Sequence, residues 1–247
     1  MIPKIIHTFW GGNKNLYDNS CVKNWEDVLK PEGYEINIMT HEDIDLSECE
    51  WVEYTYKNKK WAHLSDYYRF WLTNKYGGFW FDTDILVHKP FDELHKLEYA
   101  MSKARHNGIS DRLDYIDPYK DNDTAGFMCL SLFGMEKNHK LSQIGLDYYK
   151  TLTGFEQNGF DIFRYIIGRV YWEALYFVGN VEVDYTTYID FDDNKKVPID
   201  DIQKTIKENP NKLITLPAIT FDMYDYNKLY EHQYASHLHY GSWMGGF

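Results

Sequence analysis

Asp82 and Asp84 stand one residue apart in the otherwise apolar run Phe79-Trp80-Phe81-Asp82-Thr83-Asp84-Ile85-Leu86-Val87. Taking a carboxylate out of water is costly unless it is paired, and two neighbouring like charges raise each other's pKa. A hard divalent cation such as magnesium or manganese relieves both penalties and can hold a phosphate at the same time. Residues i and i+2 of a strand share a face, so both carboxylates can reach one ion, or one ion and one sugar hydroxyl. The plainer alternative is that one Asp caps the next turn and the other is solvated. Apolar residues on both sides of the pair favour the ligand-binding reading.

Further residues bear on the same chemistry. Asp66 and Arg69 stand at i, i+3, neighbours on a helix, and Arg beside a carboxylate suits a ribose, a hexose hydroxyl or a diphosphate. Alone the pair would count as an ordinary helix ion pair. His237 and His239 would share a face of an extended segment and could complete a metal shell. Trp10 closes an apolar run just before Gly11-Gly12, at a strand's carboxyl end, where ligands bind in open α/β sheets; stacking and core roles both remain open. No Gly-X-Gly-X-X-Gly, Walker or Gly-X-Ser-X-Gly pattern occurs, which removes the dinucleotide, P-loop and nucleophile-elbow readings.

These residues need elements to position them. Ile2 to Trp10 reads as a buried strand, and Ser20 caps a helix over Cys21 to Leu29 that Lys30-Pro31-Glu32-Gly33 stops. Tyr34 to Met39 alternates as a second strand, and the β-α-β order predicts a parallel sheet. Trp61 to Tyr76 has helical spacing and ends at Gly77-Gly78, directly before the Asp82 strand. Met101 to Asp123 is polar and irregular, as functional loops are. A strand over Gly126 to Phe133 follows, then helices over Asn138 to Lys150 and Phe160 to Phe177. A short strand at Val181 to Val183, a turn over Asp190 to Asp193, a helix from Pro198 to Asn209 and an apolar run Leu213 to Leu216 complete the pattern. One α/β domain with an elaborated second half accounts for the 247 residues.

The net charge is −12 and the densest basic patch is Lys57-Asn58-Lys59-Lys60, so nucleic acid is not an expected partner. Cys21, Cys49 and Cys129 are odd in number and far apart, which points to a reducing compartment or at least away from a disulfide framework. With no signal pattern at Met1 to Ile6 and no 18-residue apolar run, the expectation is a cytoplasmic protein with at most peripheral membrane contact. Asn122-Asp123-Thr124 fits the glycosylation triplet, which matters only in a secreted protein.

Ile2 to Gly12, His63 to Arg69 with Tyr76 to Asp84, and Ala235 to Trp243 together resemble glycosyltransferase family 32, which includes capsular-polysaccharide sugar transferases with an Asp-X-Asp motif. The resemblance implies a GT-A type, Rossmann-like mixed sheet flanked by helices, a nucleotide-sugar donor (a UDP- or GDP-hexose), Mn²⁺ or Mg²⁺, and retention of anomeric configuration. It implies that Asp82 and Asp84 hold the ion, that Asp66 and Arg69 bind the donor's sugar and ribose, and that Trp10 contacts the base. His237 would be the third protein ligand; the family often has a second His directly after it, whereas here Leu238 intervenes before His239. Ser242 and Trp243 would close over the diphosphate. On this reading residues 1–100 form the nucleotide-sugar half, 101–233 the acceptor side, and 234–247 a tail closing over the donor.

The expected reaction is transfer of a hexose to a hydroxyl of a saccharide or lipid-linked saccharide, in polysaccharide or glycan biosynthesis. No catalytic nucleophile is identified; Asn122 or Asp123 is the candidate for the sugar's β face. Two alternatives remain: a haloacid-dehalogenase-like phosphohydrolase, with Asp192-Asp193 as its later acidic motif, and a non-catalytic carbohydrate-binding protein, supported only by the aromatic surplus.

Overall fold

The computed structural model describes residues 1–12, 19–102, 128–155, 162, 167–184, 198–216, 220–221 and 233–238. Its centre is a five-stranded mixed sheet in the order β2-β1-β3-β6-β5. Strand β1 (Ile5–Trp10) lies between β2 (Glu35–Thr40) and β3 (Gly78–Phe81) and is parallel to both. Strand β6 (Leu132–Met135) runs antiparallel to β3 and to β5 (Tyr99–Ala100). The first three strands are joined through α1 (Ser20–Leu29), then α2 (Glu50–Lys57) and α3 (Trp61–Tyr76), as parallel neighbours require. This is the α/β mixed sheet flanked by helices that the sequence led us to expect.

Helix α3 has the bounds expected of it, but its buried surface is wider than one stripe, because α2, β1 and α4 (Lys140–Thr151) all pack on it. Phe70 stacks on Tyr171 and Phe133, with ring centroids 4.6 and 5.8 Å away. Gly77 ends the helix at φ 70°, and Gly78 follows at φ 105°. A Cβ on Gly78 would lie 2.5 Å from the Ile5 carbonyl, so only glycine lets the chain turn from helix into strand this close to β1. His7 clasps the same turn from beneath: its Nε2 bonds the Gly77 carbonyl at 2.7 Å and Asn37 donates to its Nδ1 at 3.0 Å.

Several elements differ from expectation. The first strand begins at Ile5 rather than Ile2, and the cap of α1 is Asn19, whose side chain accepts from the Cys21 N–H, rather than Ser20. Helix α4 starts at Lys140 with His139 as its cap. The helix anticipated over Phe160 to Phe177 is described as α5 (Ile167–Glu173) running into a π-helical turn, Ala174–Val178. Helix α2 was not anticipated, because its buried residues Trp51, Val52 and Thr55 are too few and too close to set a period.

The largest correction concerns the apolar run around the carboxylates, which is not one strand. Strand β3 stops at Phe81, residues 82–84 turn, and β4 (Ile85–Val87) joins a separate two-stranded ribbon with β9 (Ala235–His237). The Asp82 N–H still donates to the Ser131 carbonyl at 2.8 Å, and the Ile85 N–H closes the turn on the Asp82 carbonyl at 3.2 Å. The physical reason is charge. Two carboxylates on a strand buried on both faces would be desolvated without partners, whereas a turn past the sheet's carboxyl end leaves them half-buried. A second parallel pair, β7 (Glu182–Asp184) with β8 (Lys212–Ile214), and α6 (Ile199–Glu208) complete the described strands and α-helices.

Candidate functional site

The site gathers around the turn that follows β3. Helix α1 holds this turn from behind. Asn19 donates to the Thr83 carbonyl at 3.3 Å, and the Trp25 indole donates to the Ile85 carbonyl at 2.7 Å. The Asn24 amide both donates to and accepts from the Val87 backbone, at 3.0 and 2.7 Å, serving β4 as a missing neighbour strand would. The other edge of β4 pairs with β9, with Ile85 opposite His237, and the Leu238 N–H donates to the Asp84 carbonyl at 3.0 Å. The ribbon brings His237 Nε2 to 3.2 Å from Asp84 Oδ1.

Asp82, Asp84 and His237 each offer a ligand atom, and these atoms lie within 4.8 Å of one another. Adjacent ligands of a single hard divalent ion, each about 2.1 Å from it, are separated by ~3–4 Å, so the cluster fits an ion after small side-chain adjustment. Two carboxylates concentrated beside one imidazole also suit the charge of such an ion. Burial pushes the Asp82 carboxyl above its ordinary range, while Arg69 and His237 oppose that shift and Asp84 adds to it. A bound dication would reverse that balance.

Asp66 and Arg69 form a far more buried pair than their spacing alone implied. Their side chains are 10% and 5% exposed, and Arg69 Nη2 lies 2.5 Å from Asp66 Oδ1. Arg69 Nη1 donates to the Leu130 carbonyl at 2.5 Å and reaches 3.6 Å from Asp82 Oδ1. The guanidinium also sits 5.2 Å from the Trp80 ring centre, and the Trp80 indole donates to Asp82 Oδ1 at 2.8 Å. Burial lifts Asp66 to about 7 against the pull of Arg69. Burial acts to lower Arg69, yet Asp82 and Asp66 outweigh it and keep the guanidinium charged. Helix α3 and the turn therefore share one electrostatic unit, with Oδ1 of Asp82 engaged by both Trp80 and Arg69.

Trp10 ends β1, half-buried, at the same carboxyl edge. A Cβ on Gly12 would lie 2.8 Å from the Trp10 indole nitrogen, and one on Gly11 only 2.4 Å from Trp61. Two indoles thus flank the Gly11-Gly12 backbone. His239, Ser242, Trp243, Asn122, Asp123 and the pair Asp192-Asp193 lie outside the described residues, as does the polar stretch from residue 103 onward. Sequence reasoning missed Asn19, Asn24, Trp25 and Trp80, which hold the turn. Only the Trp80 alternation with Asp82 was locally visible; the α1 contacts join residues about 60 positions apart.

Two carboxylates and an imidazole thus meet at the carboxyl end of the parallel strands of a mixed α/β sheet, beside a buried Asp–Arg pair, as a candidate ligand-binding site. Residues 13–101 match the family described as "Glycosyltransferase sugar-binding region containing DXD motif". This stretch of the chain is therefore similar to the DXD-containing sugar-binding region of glycosyltransferases, where the resemblance also lay. The match takes in Asp66, Arg69, Asp82 and Asp84, while Trp10 and His237 fall outside it; it favours glycosyl transfer over the phosphohydrolase reading. No curated protein matches the chain. Among solved structures, the chain is similar to one described as "PaToxG Glycosyltransferase", at 14% identity over 71% of this chain and 69% of that one, with a TM-score of 0.46. It is also similar to a glycosyltransferase described as involved in the glycosylation of the major capsid of PBCV-1, at 12% identity over 67% of this chain and 76% of that one, with a TM-score of 0.36. Among the described residues, no helix is long and apolar enough to cross a membrane.

Proposed function

We propose that the protein is a metal-dependent, retaining hexosyltransferase that moves a hexose from a nucleoside diphosphate sugar to a saccharide hydroxyl in polysaccharide or glycan biosynthesis. The observation that carries the proposal is the convergence of Asp82, Asp84 and His237 within 4.8 Å, next to the Asp66–Arg69 pair. Asp82, Asp84 and His237 would hold the ion, and one imidazole beside two carboxylates moves the preference from magnesium toward manganese. When bound, such an ion supplies positive charge that stabilises a diphosphate leaving group. Asp66 and Arg69 orient the donor's hydroxyls, and Trp80 fixes the Asp82 carboxylate while they do so. Preorganised donors of this kind lower the barrier by positioning alone. Trp10 offers a flat apolar face for the base.

In this reading residues 1–100 bind the donor, 101–233 face a saccharide or lipid-linked acceptor, and the tail from 234 to 247, with Ser242 and Trp243, closes over the diphosphate and excludes water. Asn122 or Asp123 would stand near the sugar's β face. The setting is cytoplasmic, with at most peripheral contact with a membrane. The test is a panel of UDP- and GDP-hexoses with Mn²⁺, scored for release of nucleoside diphosphate with and without saccharide acceptors. Turnover with any of them that a chelator abolishes supports the proposal. No turnover with any donor, together with no thermal shift from UDP or GDP plus Mn²⁺, would sink it.

A further inference from the structure

The ribbon that delivers His237 has no turn of its own to set its register. β4 and β9 are far apart in sequence, and among the described residues three register pairs join them: Ile85 with His237, Leu86 with Ser236 and Val87 with Ala235. Side chains on a strand alternate faces, so a slip of one residue would exchange His237 for Ser236 or Leu238 beside Asp84. In a hairpin the loop forbids that slip; here side-chain contacts must.

Ser236 makes those contacts. It is 6% exposed, its Oγ lies 2.7 Å from His88 Nε2, and Gln233 donates to the same oxygen at 2.6 Å. Ser236 stands opposite Leu86, and His88, two residues on, lies diagonally across the ribbon on the same face. Gln233 is itself buried. The His88 N–H bonds the Tyr234 carbonyl at 2.9 Å, so both backbone and side chain of His88 engage the incoming segment. Ala235 is fully buried opposite Val87, and a shifted register would bring Tyr234 or Ser236 into that buried place. Burial holds His88 below its ordinary pKa, which leaves Nε2 able to accept the Ser236 hydroxyl proton while Gln233 donates to the oxygen.

We propose that Ser236, clasped by His88 and Gln233, is a positioning residue that fixes the register of β9 and so places the His237 imidazole on the metal site. In this reading the three residues act through His237 rather than as ligands themselves. The inference rests on the metal reading above, and partners behind a metal ligand commonly change metal affinity 10- to 100-fold when removed.

The experiment is a Mn²⁺ titration of the full chain, followed by the electron paramagnetic resonance signal of free Mn²⁺. The proteins are wild type, His237→Ala, Ser236→Ala, His88→Phe and the Ser236→Ala/His237→Ala double variant, each with its melting temperature measured in chelator. Ser236→Ala and His88→Phe should each weaken Mn²⁺ binding about 10-fold or more. The double variant should bind no more weakly than His237→Ala, because Ser236 has nothing left to position. Unchanged affinity in Ser236→Ala and His88→Phe overturns the positioning role and leaves the metal site standing. Losses that multiply in the double variant overturn it too, since Ser236 would then act independently of His237. Absence of Mn²⁺ binding by the wild type overturns the metal reading and this inference together.

Discussion

Replacing Arg69 with methionine tests the electrostatic unit behind the site. The substitution keeps much of the stem's bulk but removes the cation paired with the Asp66 carboxylate, along with the donor to the Leu130 carbonyl. With side chains 5% and 10% exposed, neither partner can turn to water for compensation. Breaking a buried ion pair by deleting one member costs about 3–5 kcal/mol. For a domain of this size each kcal/mol lowers the melting temperature by ~2 °C, so the variant should melt about 6–10 °C below wild type at pH 8. Asp66 gives the effect a pH signature. Its folded-state value, about 7, already lies above the ordinary 3.8, so the folded protein takes up a proton there more readily than the unfolded chain. Loss of Arg69 removes an influence that lowers this value and moves it further up. Protonation then relieves the unpaired charge, and the deficit should shrink as the pH falls from 8 to 6. Asp66→Asn added to Arg69→Met should recover at least half of the loss, because the orphaned charge is gone. The measurement is differential scanning calorimetry at both pH values. A melting temperature for Arg69→Met within about 2 °C of wild type at pH 8, or no recovery in the double variant, would refute the account of a buried pair that depends on both members.

Asp84→Asn should abolish the chelator-sensitive thermal shift given by UDP or GDP with Mn²⁺; an undiminished shift would remove Asp84 from the site. His7 is buried, and burial holds it down to about 4, against the bond to Gly77 that raises it. Its folded value lies below the ordinary 6.5, so its contribution is full above 6.5 and is lost as the pH falls toward 4. That loss comes to about 3 kcal/mol, and His7→Gln should flatten the acid limb of a stability-against-pH curve measured by urea unfolding. Asn24→Ala strips β4 of its amide clasp and should lower Mn²⁺ affinity about 10-fold while leaving far-ultraviolet circular dichroism unchanged; affinity equal to wild type would show that β9 alone holds the turn. Excess chelator applied to protein purified with Mn²⁺ should lower the melting temperature, and resupplied Mn²⁺ should restore it.

Helix α3 shows what local pattern can determine. Its first and last residues follow from the apolar spacing after Lys60 and from Gly77-Gly78, because helix periodicity and a glycine stop are properties of consecutive residues. The i, i+3 placement of Asp66 and Arg69, the adjacency of Asp82 and Asp84 and the presence of a histidine near the end of the chain were equally legible. Their burial was not, since burial depends on which elements cover a helix, and α2, β1 and α4 come from distant parts of the chain. The apolar run around Asp82 and Asp84 read as one strand because hydrophobicity continues through it. Only the tertiary structure shows the chain leaving the central sheet at Phe81 and entering a second ribbon at Ile85. The same holds for His237. Sequence supplied an imidazole, and the β4–β9 pairing, which no local rule encodes, brings it to 3.2 Å from Asp84. Sequence by itself determined the chemistry available to this protein, because side-chain type and spacing are local. The tertiary structure decided which groups share a site, because that is settled by strand pairing and desolvation across the whole chain.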